Sequence, residues 1–135
     1  RQYGYLYNWC AAMGAQNTAA CANATTPAPI PTTNICPAGW RLPTGEPITG
    51  EFTALNTAIN GGLTNTDAGL LSNGLFQRSG FWNDGFYSQG SSGTYWSSSQ
   101  SSSYNARRLY FYSTDVSPAP NGLNDLGFSV RCIAL

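Results

Sequence analysis

Residues 94–112 read TYWSSSQSSSYNARRLYFY and decide the fold class. The segment contains two runs, Thr94 to Ser98 and Ala106 to Tyr112, whose composition is typical of β-strands. Side chains alternate along a strand, so the second run has two distinct faces. One face carries Arg107, Leu109 and Phe111, and the other carries Arg108, Tyr110 and Tyr112. The pattern predicts a strand with one core face and one aromatic-rich face that remains in solvent.

Further β-rich runs lie on both sides of this stretch, separated by clusters of Gly, Ser, Asn and Pro. They are Tyr3 to Tyr7, Leu75 to Arg78, Phe81 to Tyr87 and Phe128 to Ile133. Ser97 to Ser103 has no charge and no apolar anchor, so we expect a flexible loop there. No segment after Gly62 has a helical pattern. The second half of the chain is therefore predicted to be an antiparallel meander.

One helix is predicted, from about Gly50 to Asn60. Thr49 is placed to cap its first turn, and Glu51 complements the positive end of the helix dipole. Gly61 and Gly62 supply a left-handed stop. The apolar side chains on one stripe, which predict the core-facing side, are Phe52, Leu55 and Ile59. One main helix with short antiparallel strands and long loops indicates the α+β class.

The length of 135 residues indicates one domain, and the charge content excludes several functions. Only 9% of residues are charged, and six basic residues, all Arg, balance six acidic ones. With this balance of charge there is no basic patch to bind nucleic acid or an anionic membrane surface. No apolar run of residues is long enough for direct membrane insertion. Histidine is absent, which removes the usual general base and the commonest metal ligand. We therefore expect no catalytic site, no cofactor and no metal.

Four cysteines, Cys10, Cys21, Cys36 and Cys132, lie in a chain rich in Ser, Thr, Asn, Gly and Tyr, a composition typical of exported proteins. There is no C-x-x-C motif, which makes a zinc site a weak alternative. Of three possible pairings we favour Cys10 with Cys21 and Cys36 with Cys132, because the two loops do not cross. Buried free thiols in a cytosolic protein are the other alternative. Residues 23–37 contain four prolines and predict an extended surface segment.

Six motifs in a fixed order carry a resemblance to a known family. They are YGYLYNWCAA, NICPAGWRLPT, EFTAL, TYWSSS, NARRLYF and GFSVRC. In this order they resemble the Fibrobacter succinogenes major paralogous domain from Tyr3 to Cys132, with the most specific matches at Cys36–Thr44, Tyr95–Ser99 and Gly127–Cys132. Members of that family usually carry an upstream motif similar to Trp-Met-Ala-Glu-Asn-Leu, which this sequence lacks. We therefore expect residues 1–135 to be a single domain that is a fragment of a longer exported protein, or a shortened variant.

The family is similar to a branch of the C-type lectin-like fold, which also occurs in variable proteins of diversity-generating retroelements and in formylglycine-generating enzymes. The resemblance implies an exported binding domain displayed at the cell surface. Lectin-like folds tie the region before the helix to the last strand, which agrees with a Cys36–Cys132 bond. The variable positions of retroelement proteins are rich in Tyr, Asn, Ser, Asp and Phe, and residues 81–88 and 112–126 have a similar composition. Turn chemistry and ordinary paratope composition also explain it.

The same segments predict an aromatic and polar ligand-binding face in the C-terminal half, directed to a protein or glycan outside the cell. Trp, Tyr and Arg are expected to dominate such binding. The candidate residues are Phe81, Trp82, Asn83, Asp84, Phe86, Tyr87, Tyr104, Arg108, Tyr110, Tyr112, Asp115, Asn121 and Asn124. The alternative is a structural surface or pilus-tip domain without a specific ligand.

Three arrangements suggest chemistry only weakly. Trp82-Asn83-Asp84 resembles the calcium-binding tripeptide of sugar-binding C-type lectins, but the second calcium-binding element of those proteins is missing, so a hairpin turn is the preferred interpretation. The near pairs of acids, Glu46 with Glu51 and Asp115 with Asp125, are better explained as helix-end or turn charges than as a glycosidase pair. Of Arg107 and Arg108, one is expected to reach a carboxylate and the other to face solvent or ligand.

Overall fold

The structure is a computed structural model that describes residues 3–14, 21 and 33–135. Most of the Pro-rich segment 23–37 lies outside these residues. The described chain mixes helices with antiparallel sheets, which confirms the α+β class. The helices are α1 (Trp9–Ala12), α2 (Glu51–Asn60) and α3 (Ala68–Ser72). The strands are β1 (Trp40–Arg41), β2 (Phe81–Trp82), β3 (Phe86–Tyr87), β4 (Ser92–Gln100), β5 (Asn105–Tyr112), β6 (Asp115–Ser117), β7 (Asn121–Leu123) and β8 (Ile133–Ala134).

Helix α2 confirms the predicted helix, but its N-terminus is capped by a different residue. Gly50 occupies the N-cap position, and Thr49 makes no capping hydrogen bond. The Thr44 hydroxyl oxygen instead accepts a hydrogen bond from the Glu51 backbone N–H at 3.0 Å, while the Glu51 carboxylate accepts one from the Thr44 backbone N–H at 2.9 Å. This reciprocal pair satisfies one otherwise unpaired helix N–H. The helix ends at Gly61, which has the expected left-handed φ of 63°.

Strand β5 is the centre of the main sheet. It pairs with β4 on one edge, from Ser92 opposite Tyr112 to Trp96 opposite Arg108. On its other edge it pairs with β6 near its end and with β7 near its start. The predicted core face of β5 is confirmed, since Leu109 and Phe111 are buried. The opposite face is exposed only at Tyr112, because Ala106 is buried in the first apolar cluster and Arg108 and Tyr110 are half-buried.

The Ser-rich segment is more ordered than the sequence predicts. Residues 97–100 continue strand β4, and Ser97 is fully buried with its hydroxyl donating to the Arg107 carbonyl at 2.7 Å. Only residues 101–104 form the connection to β5. The expectation of a flexible loop over Ser97–Ser103 is therefore wrong for its first half, because a buried serine can satisfy its hydroxyl across the strand pair.

Other boundaries also differ from the prediction. Within Tyr3–Tyr7 only Tyr7 pairs, through a single bridge to Phe128, and residues 75–78 lie in no strand. Residues 127–129 make isolated bridges, and only Ile133–Ala134 forms a strand there. Helices α1 and α3 were not predicted; both are too short to show a helical period, and α3 also contains a Gly, which lowers helix propensity.

The interior consists of two apolar clusters. The first joins α1 to the sheet through Trp9, Trp96, Ala106 and Phe128. The second lies under α2 and α3, and it contains Phe52, Leu70, Phe76, Tyr95, Leu109, Phe111 and Val116. Leu55 and Ile59 pack at its edge and are only partly buried. The predicted stripe of α2 therefore does face the core.

Two disulfides confirm the favoured pairing. Cys10 is bonded to Cys21, and Cys36 is bonded to Cys132, with Cα atoms 5.9 Å apart in both pairs. A small domain with two disulfides is compatible with an extracellular location. Within the described ranges, every helix is too short or too polar to span a bilayer.

Candidate functional site

Strands β2 and β3 form a hairpin that presents four aromatic side chains. Phe81 lies opposite Tyr87 and Trp82 lies opposite Phe86, with residues 83–85 as the turn. Asp84 adopts a left-handed φ of 54°, a conformation that Asp tolerates better than most residues. The Trp82 backbone also exchanges two hydrogen bonds with Gly127, at 2.8 and 2.9 Å. The predicted hairpin turn with an exposed aromatic is confirmed, and the hairpin is anchored to the end of the chain.

Alternation divides the hairpin aromatics between two faces. Trp82 and Phe86 form an edge-to-face pair with ring centroids 4.9 Å apart. On the opposite face Phe81 and Tyr87 are stacked at 5.4 Å, and the Phe81 ring contacts the buried Phe128 ring. The structure therefore does not gather all residues from 81 to 87 into one patch.

Trp82 and Phe86 open onto a cavity of about 670 Å³, which we call the hairpin groove. Its volume lies within the range of small-ligand pockets. One wall is the hairpin, and the facing wall comes from the N-terminal segment and the Cys10–Cys21 disulfide. The lining residues are Gly4, Tyr5, Leu6, Asn8, Cys21, Trp82, Asn83, Asp84, Phe86, Asp125 and Gly127.

The described walls of the hairpin groove carry negative charge. Asp84 and Asp125 both line it, and neither has a salt-bridge partner among the described residues. The Asp125 Oδ1 atom is shielded from solvent and accepts no hydrogen bond there. An acceptor that is buried without a donor is energetically costly.

A second area, which we call the tyrosine face, consists of the half-buried Arg108 and Tyr110 and the exposed Tyr112 on strand β5. The Arg108 guanidinium lies 5.0 Å from the centroid of the Tyr110 ring and 5.1 Å from that of Phe128. Its Nε donates to the Asn121 carbonyl at 3.0 Å. Burial lowers the pKa of Arg108, and the nearby Tyr110 hydroxyl partly opposes this shift. The Arg108 side chain therefore packs between the Tyr110 and Phe128 rings and supports the tyrosine face, rather than projecting into solvent.

The predicted carboxylate partner for one of the two arginines is not found. Arg107 Nη1 donates to the Ala119 carbonyl at 3.0 Å, so both arginines bind backbone carbonyls in the segment that follows β6. This segment contains Pro118 and Pro120, which have no backbone N–H to donate. The guanidinium donors satisfy those carbonyls, which is a structural role.

Tyr110 and Tyr112 line a further shallow groove of about 490 Å³ beside the hairpin. Its remaining walls are Arg78, Ser88, Gly90, Ser91, Ser92 and Ser113. Ser88 directly follows Tyr87 and has a left-handed φ of 56°. Through Phe81, Phe128 and Arg108, ring contacts run from Tyr87 to the tyrosine face.

The remaining predicted residues are spread along the sheet. Tyr104 precedes β5 and Tyr112 ends it, a separation of about 26 Å at 3.3 Å per residue. Asn121 is exposed beside the start of β5, and Asp115 lies opposite Tyr112, where it accepts a hydrogen bond from the Ser117 hydroxyl. Asn124 is only 2% exposed, and its side chain donates to the Ser103 carbonyl. Asn124 therefore belongs to the interior, which corrects its assignment to the binding face.

Sequence reasoning missed the far wall of the hairpin groove, formed by Tyr5, Asn8 and Asp125. These residues are brought there by tertiary pairing: Tyr7 exchanges backbone hydrogen bonds with Phe128, and the Trp9 N–H donates to the Asn124 carbonyl. No local pattern indicates such contacts between the two ends of the chain.

Among the described residues, no group of three or more Cys, Asp or Glu side chains is placed to hold a metal ion. Three of the four acids weighed as catalytic pairs are engaged: Glu51 pairs with Arg41, and Glu46 and Asp115 accept hydrogen bonds from the Ser99 and Ser117 hydroxyls. Comparison with protein-family models, with curated proteins and with solved structures finds no match to this chain.

Proposed function

We propose that this chain is a surface-displayed ligand-binding domain with a C-type lectin-like fold, related to the Fibrobacter succinogenes major paralogous domain. It binds a protein or glycan outside the cell through the hairpin and the tyrosine face. The observation that carries the proposal is the exposure of Trp82, Phe86 and Tyr87, which are 42, 63 and 50% accessible on an anchored hairpin. Adjacent exposed aromatics of this size usually mark a contact surface.

The packing of the domain supports this assignment. Both apolar clusters are filled by other side chains, so the exposed hairpin rings are not needed to complete the core. Tyr and Trp offer large contact areas at a low cost in conformational entropy. A hairpin already held by Gly127 loses little further freedom on binding, which favours affinity.

The rival is a structural surface or pilus-tip domain, in which the exposed rings pack against a neighbouring domain. Both functions expose aromatics, but only a ligand-binding domain recognises a separate molecule when it is isolated. Binding by the isolated domain therefore discriminates between them.

The test uses the triple variant Phe86→Ser, Tyr104→Ser and Tyr112→Ser. A fluorescent tetramer of the domain is applied to a glycan array and to a yeast-displayed peptide library. The control is the double variant Ile48→Ser and Leu63→Ser, which removes exposed apolar groups elsewhere on the surface. We expect the wild type and the control to share the same hits, and the triple variant to lose them without a change in melting temperature.

Two results would contradict the proposal. Unfolding of the triple variant would place these rings in the core and favour the structural rival. Equal loss of binding in the control would show that the hits come from general apolar adhesion.

Retroelement diversification is a finer part of the same proposal. Residues 81–88 are mostly exposed and residues 112–126 are mostly half-buried or exposed, but Val116, Gly122 and Asn124 within them are buried. Programmed variation that preserves the fold should therefore spare these three positions and concentrate at exposed ones such as Asn83 and Asn121. Sequencing copies of this gene from one population tests it, and uniform variation across residues 94–111 would contradict it.

A further inference from the structure

The acidic residues of this domain fall into two groups. Four of the six have a described side-chain partner, namely Glu46 with Ser99, Glu51 with Arg41, Asp67 with Arg78, and Asp115 with Ser117. The remaining two, Asp84 and Asp125, both line the hairpin groove. The acids without a described side-chain partner are therefore collected at one place rather than dispersed.

No described positive charge offsets these two carboxylates locally. The chain has no Lys or His, and of its six arginines only Arg1 lies outside the described residues. Arg41 and Arg78 are held in ion pairs, and Arg107 and Arg108 bind backbone carbonyls. Arg131 lines a neighbouring groove instead. The charged side chains in the described lining of the hairpin groove are therefore both negative.

Aromatic rings line the same groove as the two carboxylates. The edge-to-face pair of Trp82 and Phe86 lies on the same side of the hairpin and lines the groove. The face of an indole or phenyl ring attracts a cation within about 6 Å of its centroid. A carboxylate pair beside an aromatic wall complements a planar cation, which stacks on a ring while donating hydrogen bonds at its edge.

We propose that the hairpin groove binds an arginine side chain presented by a protein partner. The guanidinium stacks on Trp82 or Phe86 and donates to the Asp84 and Asp125 carboxylates that line the groove. This proposal rests on the proposed binding function and selects a protein over a glycan as its ligand. A neutral sugar could donate hydroxyl groups, but it would leave the charge of two carboxylates uncompensated.

Blocked amino acids test this directly. N-acetyl-arginine methylamide and its citrulline analogue have nearly the same shape, but only the first is charged. Each is titrated into the ¹⁵N-labelled domain while the Trp82 indole N–H and the amides of residues 83–86 are followed by NMR. We expect saturable shifts with the arginine compound, at least tenfold weaker binding of the citrulline compound, and weakening of the arginine response as NaCl rises from 50 to 500 mM.

Matched variants locate the charge requirement. Asp84→Asn with Asp125→Asn keeps the side-chain shapes and should reduce the affinity for the arginine compound at least tenfold, while Glu46→Gln, outside the groove, should leave it unchanged. The citrulline and salt comparisons use the wild-type protein, so they decide the question even where the double variant fails to fold.

Equal binding of the two compounds, or a saturable response of these resonances to methyl mannoside or N-acetylglucosamine without one to arginine, would overturn the inference. The proposed function is tested separately. If the arginine compound leaves the groove resonances unmoved while the array hits persist, this inference fails and the binding function stands.

Discussion

Gly93 is expected to be irreplaceable, because an aromatic ring lies over it. Gly93 is buried in β4 directly opposite Phe111 in β5. A β-carbon added at Gly93 would lie 2.5 and 2.6 Å from two carbons of the Phe111 ring. That ring cannot move aside, because it is fully buried, stacked with Tyr95 and in edge contact with Phe76.

The cost of Gly93→Ala follows from this contact. Overpacking of a filled core costs about 1 to 3 kcal/mol, and the fixed ring places Gly93→Ala at the upper end, about 2 to 3 kcal/mol. For 135 residues the entropy of unfolding is about 0.28 kcal/mol per degree, so the melting temperature should fall by about 7 to 11 °C. Circular dichroism melts measure this directly.

Gly85→Ala is the matched control, because the nearest atom to its added β-carbon is a Tyr87 ring carbon at 3.7 Å, an ordinary contact. It should melt within about 2 °C of the wild type. In the Gly93→Ala background, Phe111→Leu should cost less than it does alone, with a coupling energy of about 1 kcal/mol or more. A Gly93→Ala melt equal to that of Gly85→Ala would refute the reasoning, as would purely additive effects in the double variant.

Three further outcomes are expected. Replacing both Cys36 and Cys132 by Ser should lower the free energy of unfolding by about 4 to 5 kcal/mol in urea titrations, because the bond closes a loop with a sequence separation of 96. The bidentate contact with Arg41 holds the pKa of Glu51 below its usual range, so its stabilisation is present above about pH 4.3 and lost as the pH falls through the lower folded-state pKa. Because both side chains are about a third exposed, we expect Glu51→Gln to remove less than about 1 kcal/mol of that pH-dependent stability between pH 6 and 3. Melts with and without a chelator should coincide, and a fall of more than about 5 °C would restore the calcium interpretation of Trp82-Asn83-Asp84.

The sequence predicted elements whose signal is local. The apolar stripe and the terminal glycines of α2, and the core face of β5, depend only on neighbouring residues, and both were confirmed. Thr44 could not be identified as the cap of α2, because it lies seven residues before Glu51 in the sequence, whereas capping residues normally directly precede the helix. Helix α3 escaped notice because Gly69 lowers its propensity, yet that glycine permits close packing on α2, where its N–H donates to the Asn60 side chain.

The candidate site was predicted in part for the same reason. The hairpin could be recognised from Asn83-Asp84-Gly85 between aromatics, which is a local turn signal. Its division into two faces, and the identity of the facing wall, depend on which residues pair with it. Asn124 shows the limit of composition, since an Asn in a polar segment looks like surface but here bonds the Ser103 carbonyl inside the fold.

The segment of residues 127–129, which precedes β8, explains how the domain can be ordered while its hairpin aromatics are exposed. Residues 127–129 pair in turn with Trp82, Tyr7 and Tyr95, so this one segment joins the hairpin to both the N-terminal segment and β4. Because the hairpin is held through its backbone, its outward side chains are not needed to keep it in place. The aromatic side chains that face solvent therefore have no structural role. Gly127 does have one, because a β-carbon added there would lie 2.7 Å from the Trp82 β-carbon. Substitutions at Phe86 or Tyr87 should therefore change binding, whereas a substitution at Gly127 should displace the whole hairpin and abolish binding through the fold.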